Sequence, residues 1–169
     1  AINSAQTDQA AADRFGDAIC TTDRFPKGAS QSFNGYTISV FAKGAGMIAP
    51  NMATMLAYAL TDAPIGSQDL EGVWRRCVEQ SFNSVIVDGD TSTNDTAIIC
   101  ASGQEQSLTG EDLKGFELAL LQACQEAAIQ LVEDGEGARC VVELTVQGAA
   151  SERDAQMVAK TIALSPLCK

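Results

Sequence analysis

Apolar positions recur at helical spacing in four parts of the chain. Residues 4–20 hold strong helix formers and few breakers, with Ala11, Phe15, Ala18 and Ile19 along one face. Ser67 opens a second helical pattern, in which Leu70, Val73, Trp74, Cys77, Val78 and Phe82 form one stripe. Ser67 reads as its N-cap, with Asp69 and Glu71 in the first turn. Thr109 caps a longer helix whose buried face carries Leu113, Phe116, Leu120, Cys124, Ala127 and Leu131, and which stops at Asp134-Gly135-Glu136-Gly137. Ser151 caps the last helix, where Met157, Val158 and Ile162 recur before Pro166 ends it.

Between these helices the pattern shortens to strand-like runs. Asn34-Gly35 reads as a turn, and residues 36–42 as a strand after it. Residues 85–87 and 97–101 are short apolar runs, and residues 139–147 place Val142, Leu144 and Val146 on one side of a strand. Residues 55–63 fit a helix or a strand equally well. Strands alternate with helices, so the fold class is mixed α and β. No internal repeat or low-complexity linker divides the 169 residues, which suit a single domain.

Composition narrows the function classes. Lys and Arg total 11 against 22 Asp and Glu, a net charge of −11, and no basic cluster offsets it. Such a surface repels polyanions, which argues against nucleic acid as a partner. No apolar run approaches the length of a membrane span, and no signal peptide is visible at the start. The chain begins Ala1-Ile2-Asn3 without a methionine, as a processed product or a fragment would.

Six cysteines lie at 20, 77, 100, 124, 140 and 168, with no CxxC pair and no histidine. That argues against zinc and removes every Ser-His or Cys-His arrangement. Cys77, Cys100, Cys124 and Cys140 fall in apolar periodic segments, where a free thiol behaves as a small hydrophobe. A reducing cytoplasm fits this usage better than a secreted disulfide framework.

Three segments carry candidate chemistry. KGAGMIAPNMATML, residues 43–56, crowds small residues around Pro50 and then delivers one hydroxyl, Thr54, between Met52-Ala53 and Met55-Leu56. Its ordinary reading is a glycine-containing loop feeding a buried strand. DGDTSTND, residues 88–95, resembles neither the continuation of a haloacid-dehalogenase aspartate motif nor an EF-hand, which would want a glycine at position 93 and a glutamate at position 99. A turn of Asx and Ser/Thr side chains bonding local backbone is the preferred reading. Glu136 stands between two glycines, either as a solvated helix-end residue or as a carboxylate for a ligand ammonium or amide. Lys43 is either a surface lysine or a partner for a substrate carboxylate. Thr21 and Thr22 lie in the polar TTDRFPKG stretch, as a helix exit or as hydroxyls facing a ligand.

KGAGMIAPNMATMLAYALTDA, SFNSVIVDGDTSTNDT, EDGEGA and TTDRFPK, taken together and in this order, closely resemble the ornithine acetyltransferase (glutamate N-acetyltransferase) family of arginine biosynthesis. The resemblance runs along essentially the whole chain. It implies a precursor that cleaves itself between Ala53 and Thr54, leaving Thr54 as an N-terminal nucleophile. The chemistry is coherent, because an α-amine with an ordinary pKa of about 7.7–8.0 can serve a weak hydroxyl nucleophile as its base. By the same resemblance Thr54 would carry an acetyl group from N-acetylornithine to glutamate. Lys43, Thr54 and Glu136 match substrate-contacting residues, and Thr21 matches the first threonine of the family's TTD segment.

The implied fold is a layered sandwich of β-sheets flanked by helices, and the implied assembly is a heterotetramer of the cleaved α and β chains. No cofactor is implied, with acetyl-CoA as an optional second acetyl donor. The chain departs from the family in three respects. The oxyanion-hole Thr-Gly pair falls upstream of it, the C-terminal Asn and Thr contacts fall downstream, and the hairpin between Thr21 and Lys43 is a few residues shorter. The expectation is therefore the central part of a longer precursor, in which each missing oxyanion donor would lower the rate by about 10²–10³. Two rivals share parts of this pattern: a self-processing threonine amidohydrolase or aminopeptidase, and an inactive truncated homologue retained for binding.

Overall fold

One four-stranded sheet organises the computed structural model, which describes residues 8–49, 55–90, 92–102 and 107–168. Its strands are β1 (Lys27–Phe33), β2 (Tyr36–Lys43), β3 (Leu56–Thr61) and β4 (Thr96–Ala101), in the spatial order β1-β2-β3-β4. The first two pairings are antiparallel, and β4 runs parallel to β3. Asn34 and Gly35 join β1 to β2 with φ of 49° and 85°, the left-handed pair that a two-residue hairpin link requires. Residues 55–63, ambiguous by period, resolve into β3 because strands on both sides take up its backbone groups. Strand β1 has no apolar signature in its sequence KGASQSF; the helix packed over it supplies the burial.

The helices are α1 (Gln9–Ile19), α2 (Ser67–Glu79), α3 (Gly110–Glu133) and α4 (Glu152–Leu164). On the inner face of the sheet, Ile38, Val40, Ala42, Ala57 and Ala59 meet Phe116, Leu120, Ala123, Cys124, Ala127 and Leu131 of α3. Val73, Trp74, Cys77 and Val78 of α2 complete this core. Full burial of each larger aliphatic or aromatic side chain there is worth roughly 1.5–3 kcal/mol. Trp74 also satisfies its indole N–H on the Ala97 carbonyl at 3.1 Å, which ties α2 to β4. The opposite face is covered near β2 by α1, whose Phe15 stands edge-on to Phe41 and Tyr58 at 5.2 and 5.4 Å. The mixed α and β class therefore holds, with one sheet among the described residues and helices on both of its faces.

Several local expectations change. The first helix begins at Gln9 on an Asp8 cap, and residues 4–7 lie outside the described residues. Gly66 occupies the cap position of α2, so Ser67 is its first helical residue and not its cap. Thr109 does sit at the cap of α3, but its side chain makes no capping bond, whereas Ser151 accepts from the Asp154 amide at 3.1 Å.

Residues 85–87 form no strand. Val85 packs on the core, and the Val87 amide goes to Ile48 O at 2.7 Å outside any ladder of the described residues. Residues 139–147 form no strand either, since they join no ladder among the described residues, and Val142 is 71% exposed. Cys77 and Cys124 are buried as expected, and burial pushes the Cys77 thiol up to about 12. Cys100 and Cys140 are exposed: Cys100 lies opposite the exposed Leu60 on the outer face of the sheet, and residue 140 lies in the segment that joins no ladder. The apolar positions Met157, Val158 and Ile162 of α4 are exposed as well.

Candidate functional site

Lys43 ends β2 directly opposite Leu56, the first residue of β3, so the ladder closes the base of the segment 44–55. Ala53 and Thr54 lie outside the described residues; the residues flanking that segment are described on both sides. At its start, Gly44 takes a φ of 143°, which a residue with a Cβ rarely adopts. Its amide donates to Asp23 Oδ1 at 2.6 Å. Lys43, buried at the strand end, reaches the Thr21 hydroxyl at 3.5 Å. The Thr21 amide in turn donates to Asp23 Oδ2 at 3.0 Å. Asp23 thereby ties the TTD segment to the entry of the small-residue segment.

Asp23 belongs to a buried ionic group. Lys27 Nζ binds Asp23 Oδ1 at 2.5 Å and Asp134 Oδ2 at 2.6 Å, and none of these three side chains has exposed surface. Arg24 reaches Asp134 Oδ1 at 2.6 Å from a more exposed position. Burial pushes the Asp23 carboxyl up, but the Lys27 ammonium and the amides of Thr21 and Gly44 outweigh it and hold it at about 2. Asp134 is likewise held below its ordinary range, with burial opposed by Lys27 and Arg24. Asp134 follows the last turn of α3, so this group fixes where the helix delivers Glu136.

Glu136 donates its amide to Ala45 O at 2.6 Å. A Cβ added at Gly46 would stand 3.1 Å from Glu136 Oε2. The structure thus brings Thr21, Lys43 and Glu136 to one place, around residues 43–46. A buried cation beside an exposed carboxylate can hold a zwitterionic small molecule by opposite ends.

The second acidic segment supports the same region from the other side. Asp88 accepts from the amides of Met47 and Ile48, the latter at 3.1 Å, and Met47 has a φ of 53°. Asp95 Oδ1 accepts from the Met55 amide at 2.8 Å. The Asx and Ser turns expected in residues 88–95 are present, since Asp90 N bonds Asp88 Oδ1 and Asn94 N bonds Ser92 Oγ. Sequence reasoning missed the longer reach of the two terminal aspartates, which hold residues on both sides of positions 50–54. Lys27 and Asp134 were missed too, since a lysine before glycine and an aspartate at a helix end read as solvated. Among the described residues no group of three or more His, Cys, Asp or Glu could hold a metal ion, and no helix is long and apolar enough to cross a membrane.

A family model described as the ArgJ family matches residues 1–169. The arginine biosynthesis bifunctional protein ArgJ of Geobacter sulfurreducens is 47% identical over 176 residues, covering 99% of this chain and 44% of that protein. Its namesake from Thermus thermophilus is 46% identical over 158 residues, covering 94% and 41% respectively. A crystal structure of the arginine biosynthesis bifunctional protein ArgJ from Bacillus halodurans shares the fold at a TM-score of 0.63 and 43% identity, over 66% of this chain and 55% of that one. The chain spans about two fifths of the length of the curated relatives it matches.

Proposed function

Because the chain belongs to the ArgJ family, we propose that the full-length protein is a glutamate N-acetyltransferase, or ornithine acetyltransferase, of arginine biosynthesis. The match of the family model along residues 1–169, with Ala53-Thr54 inside it, carries this reading. In it, the precursor cleaves its own Ala53–Thr54 bond, and the freed amine of Thr54 becomes the base for its hydroxyl.

The Thr54 hydroxyl oxygen attacks the acetyl carbonyl carbon of N-acetylornithine while the amine takes the hydroxyl proton. The tetrahedral adduct collapses, the carbon–nitrogen bond breaks, and the proton passes to the departing ornithine nitrogen. Glutamate then attacks the acetyl ester through its own amine, the steps run in reverse, and N-acetylglutamate leaves. Lys43, buried beside Thr21, pairs with a substrate carboxylate. Glu136 receives the side-chain ammonium of the ornithine substrate, and Thr21 adds a hydroxyl next to Lys43.

The reaction asks for no bound cofactor, with acetyl-CoA as an optional second donor. The cleaved chains assemble as a heterotetramer. All six cysteines are free, which suits a reducing compartment, and we assign the cytoplasm on that ground.

The test follows the full-length protein with N-acetylornithine and labelled glutamate. The expected products are labelled N-acetylglutamate, a split at Ala53–Thr54 by intact mass, and one acetyl group on the chain that begins with Thr54. Thr54→Ala should abolish all three; unchanged transfer in that variant refutes the proposal. Acetate release that ignores glutamate would assign a hydrolase instead.

A further inference from the structure

The Lys27 ammonium stands between Asp23 Oδ1 at 2.5 Å and Asp134 Oδ2 at 2.6 Å, with all three side chains out of solvent. Such charges are costly to desolvate, and well-packed apolar side chains of similar volume often hold a fold together as well. What this group adds beyond cohesion is a fixed separation. Each of its carboxylates leads to a different pole of the substrate site.

Asp23 leads to the cationic pole. Its Oδ1 also accepts from the amide of Gly44, next to Lys43, at 2.6 Å, and its Oδ2 accepts from the Thr21 amide at 3.0 Å. Thr21 and Lys43 then meet at 3.5 Å. Asp134 leads to the anionic pole, two residues before Glu136. The Arg24 amide and guanidinium donate to its two oxygens, and Arg24 Nη2 donates to the Glu133 carbonyl at 2.8 Å. Gly135 lies so close to Val87 that a Cβ would stand 2.9 Å from Val87 Cγ1. The Glu136 amide is fixed on Ala45 O at 2.6 Å. The chain is therefore held at every residue from 133 to 136, while Glu136 itself remains exposed.

We propose that Lys27, acting with Asp23 and Asp134, is a specificity-determining brace: it sets the gap between the Lys43 and Glu136 poles, and thereby the length of the diamino acid that spans them. This rests on the reading of Lys43 and Glu136 as the carboxylate and ammonium partners of N-acetylornithine. Lys27 touches no substrate and is a positioning residue. Its compact ammonium fits between two carboxylates, where a planar guanidinium would hold them further apart. With the poles fixed, a methylene more between the charged ends of the substrate misplaces one of them. Discrimination of a single methylene is commonly about 10–200-fold.

The experiment compares N-acetylornithine with Nα-acetyl-lysine, one methylene longer, as donors to labelled glutamate in the full-length protein. Wild type should favour N-acetylornithine by at least about tenfold in kcat/KM. Lys27→Arg keeps the charge but sets a wider group between the carboxylates. It should lower that ratio by about tenfold, through the KM for N-acetylornithine and with little change in kcat. Asp134→Asn keeps the shape of the side chain and gives up its charge. It should move the ratio the same way, and it decides the matter should Lys27→Arg not fold. Gly115→Ala disturbs α3 at Phe33 and should keep the wild-type ratio. A wild type that uses both donors equally, an unaltered ratio in the folded brace variants, or an equal fall in Gly115→Ala overturns the brace. A wild type that moves no acetyl group from N-acetylornithine overturns the reading beneath it.

Discussion

Lys27 Nζ lies 2.6 Å from Asp134 Oδ2, across 107 positions of sequence, and neither side chain has exposed surface. With Asp23 on its other side, Lys27 neutralises two carboxylates that hold the TTD segment, Gly44 and the exit of α3 together. Lys27→Met would leave Asp23 buried without the lysine countercharge and Asp134 with Arg24 alone. The expected loss is about 3–5 kcal/mol in urea unfolding. Breaking the exposed Arg75–Glu71 pair, 2.9 Å apart, with Arg75→Ala should change stability by less than about 0.5 kcal/mol. Equal effects of the two substitutions would contradict the buried network.

Acid should weaken the protein through Asp23. Its folded carboxyl is held at about 2 against an ordinary value of 3.8, so its contribution is complete above the ordinary value and is lost as pH falls toward 2. Its side chain has no exposed surface, and the shift corresponds to about 2 kcal/mol. Asp134 acts in the same direction. Urea midpoints should therefore drop between about pH 5 and about pH 2.5. A flat profile across that window would be incompatible with this pairing.

Gly115 faces the ring of Phe33, and a Cβ there would stand 2.6 Å from Phe33 Cζ. Alanine gains about 1 kcal/mol of helix propensity, yet the overlap displaces a ring that seals the end of the β1–β2 hairpin against α3. Gly115→Ala should be destabilising by roughly 1–3 kcal/mol, the range of overpacked cores. A rise in Tm would show that α3 can move away freely.

Gly46→Ala makes a different prediction, because the atom it meets is the end of a flexible side chain, Glu136 Oε2. Stability should change by less than about 1 kcal/mol. On the proposed function, the KM for N-acetylornithine should rise by about tenfold with little change in kcat. An unaltered KM would remove Glu136 from the substrate site.

The helices were legible because their signal is local. The stripes of α2 and α3 are written in residues three and four positions apart, and nearly all of the positions named are buried. The Asn34-Gly35 turn was legible for the same reason, since its φ values are a property of those two residues. The motifs that carry the family resemblance were legible as runs of specific residues, and Thr21, Lys43 and Glu136 stand in them. Their meeting was not, because nothing local brings residue 21, residue 43 and residue 136 together.

The sequence by itself determined the helix faces, the hairpin turn, the mixed class and the family resemblance. Tertiary structure decided which apolar runs became strands. A strand needs a ladder for its backbone: KGASQSF found one with β2 and became β1, whereas residues 85–87 and 139–147 join no ladder among the described residues. It also decided that Lys27 is buried and that Asp88 and Asp95 grip Met47, Ile48 and Met55. Charge burial and ladder partnership depend on groups tens to a hundred positions away, and only the folded chain places those groups within reach.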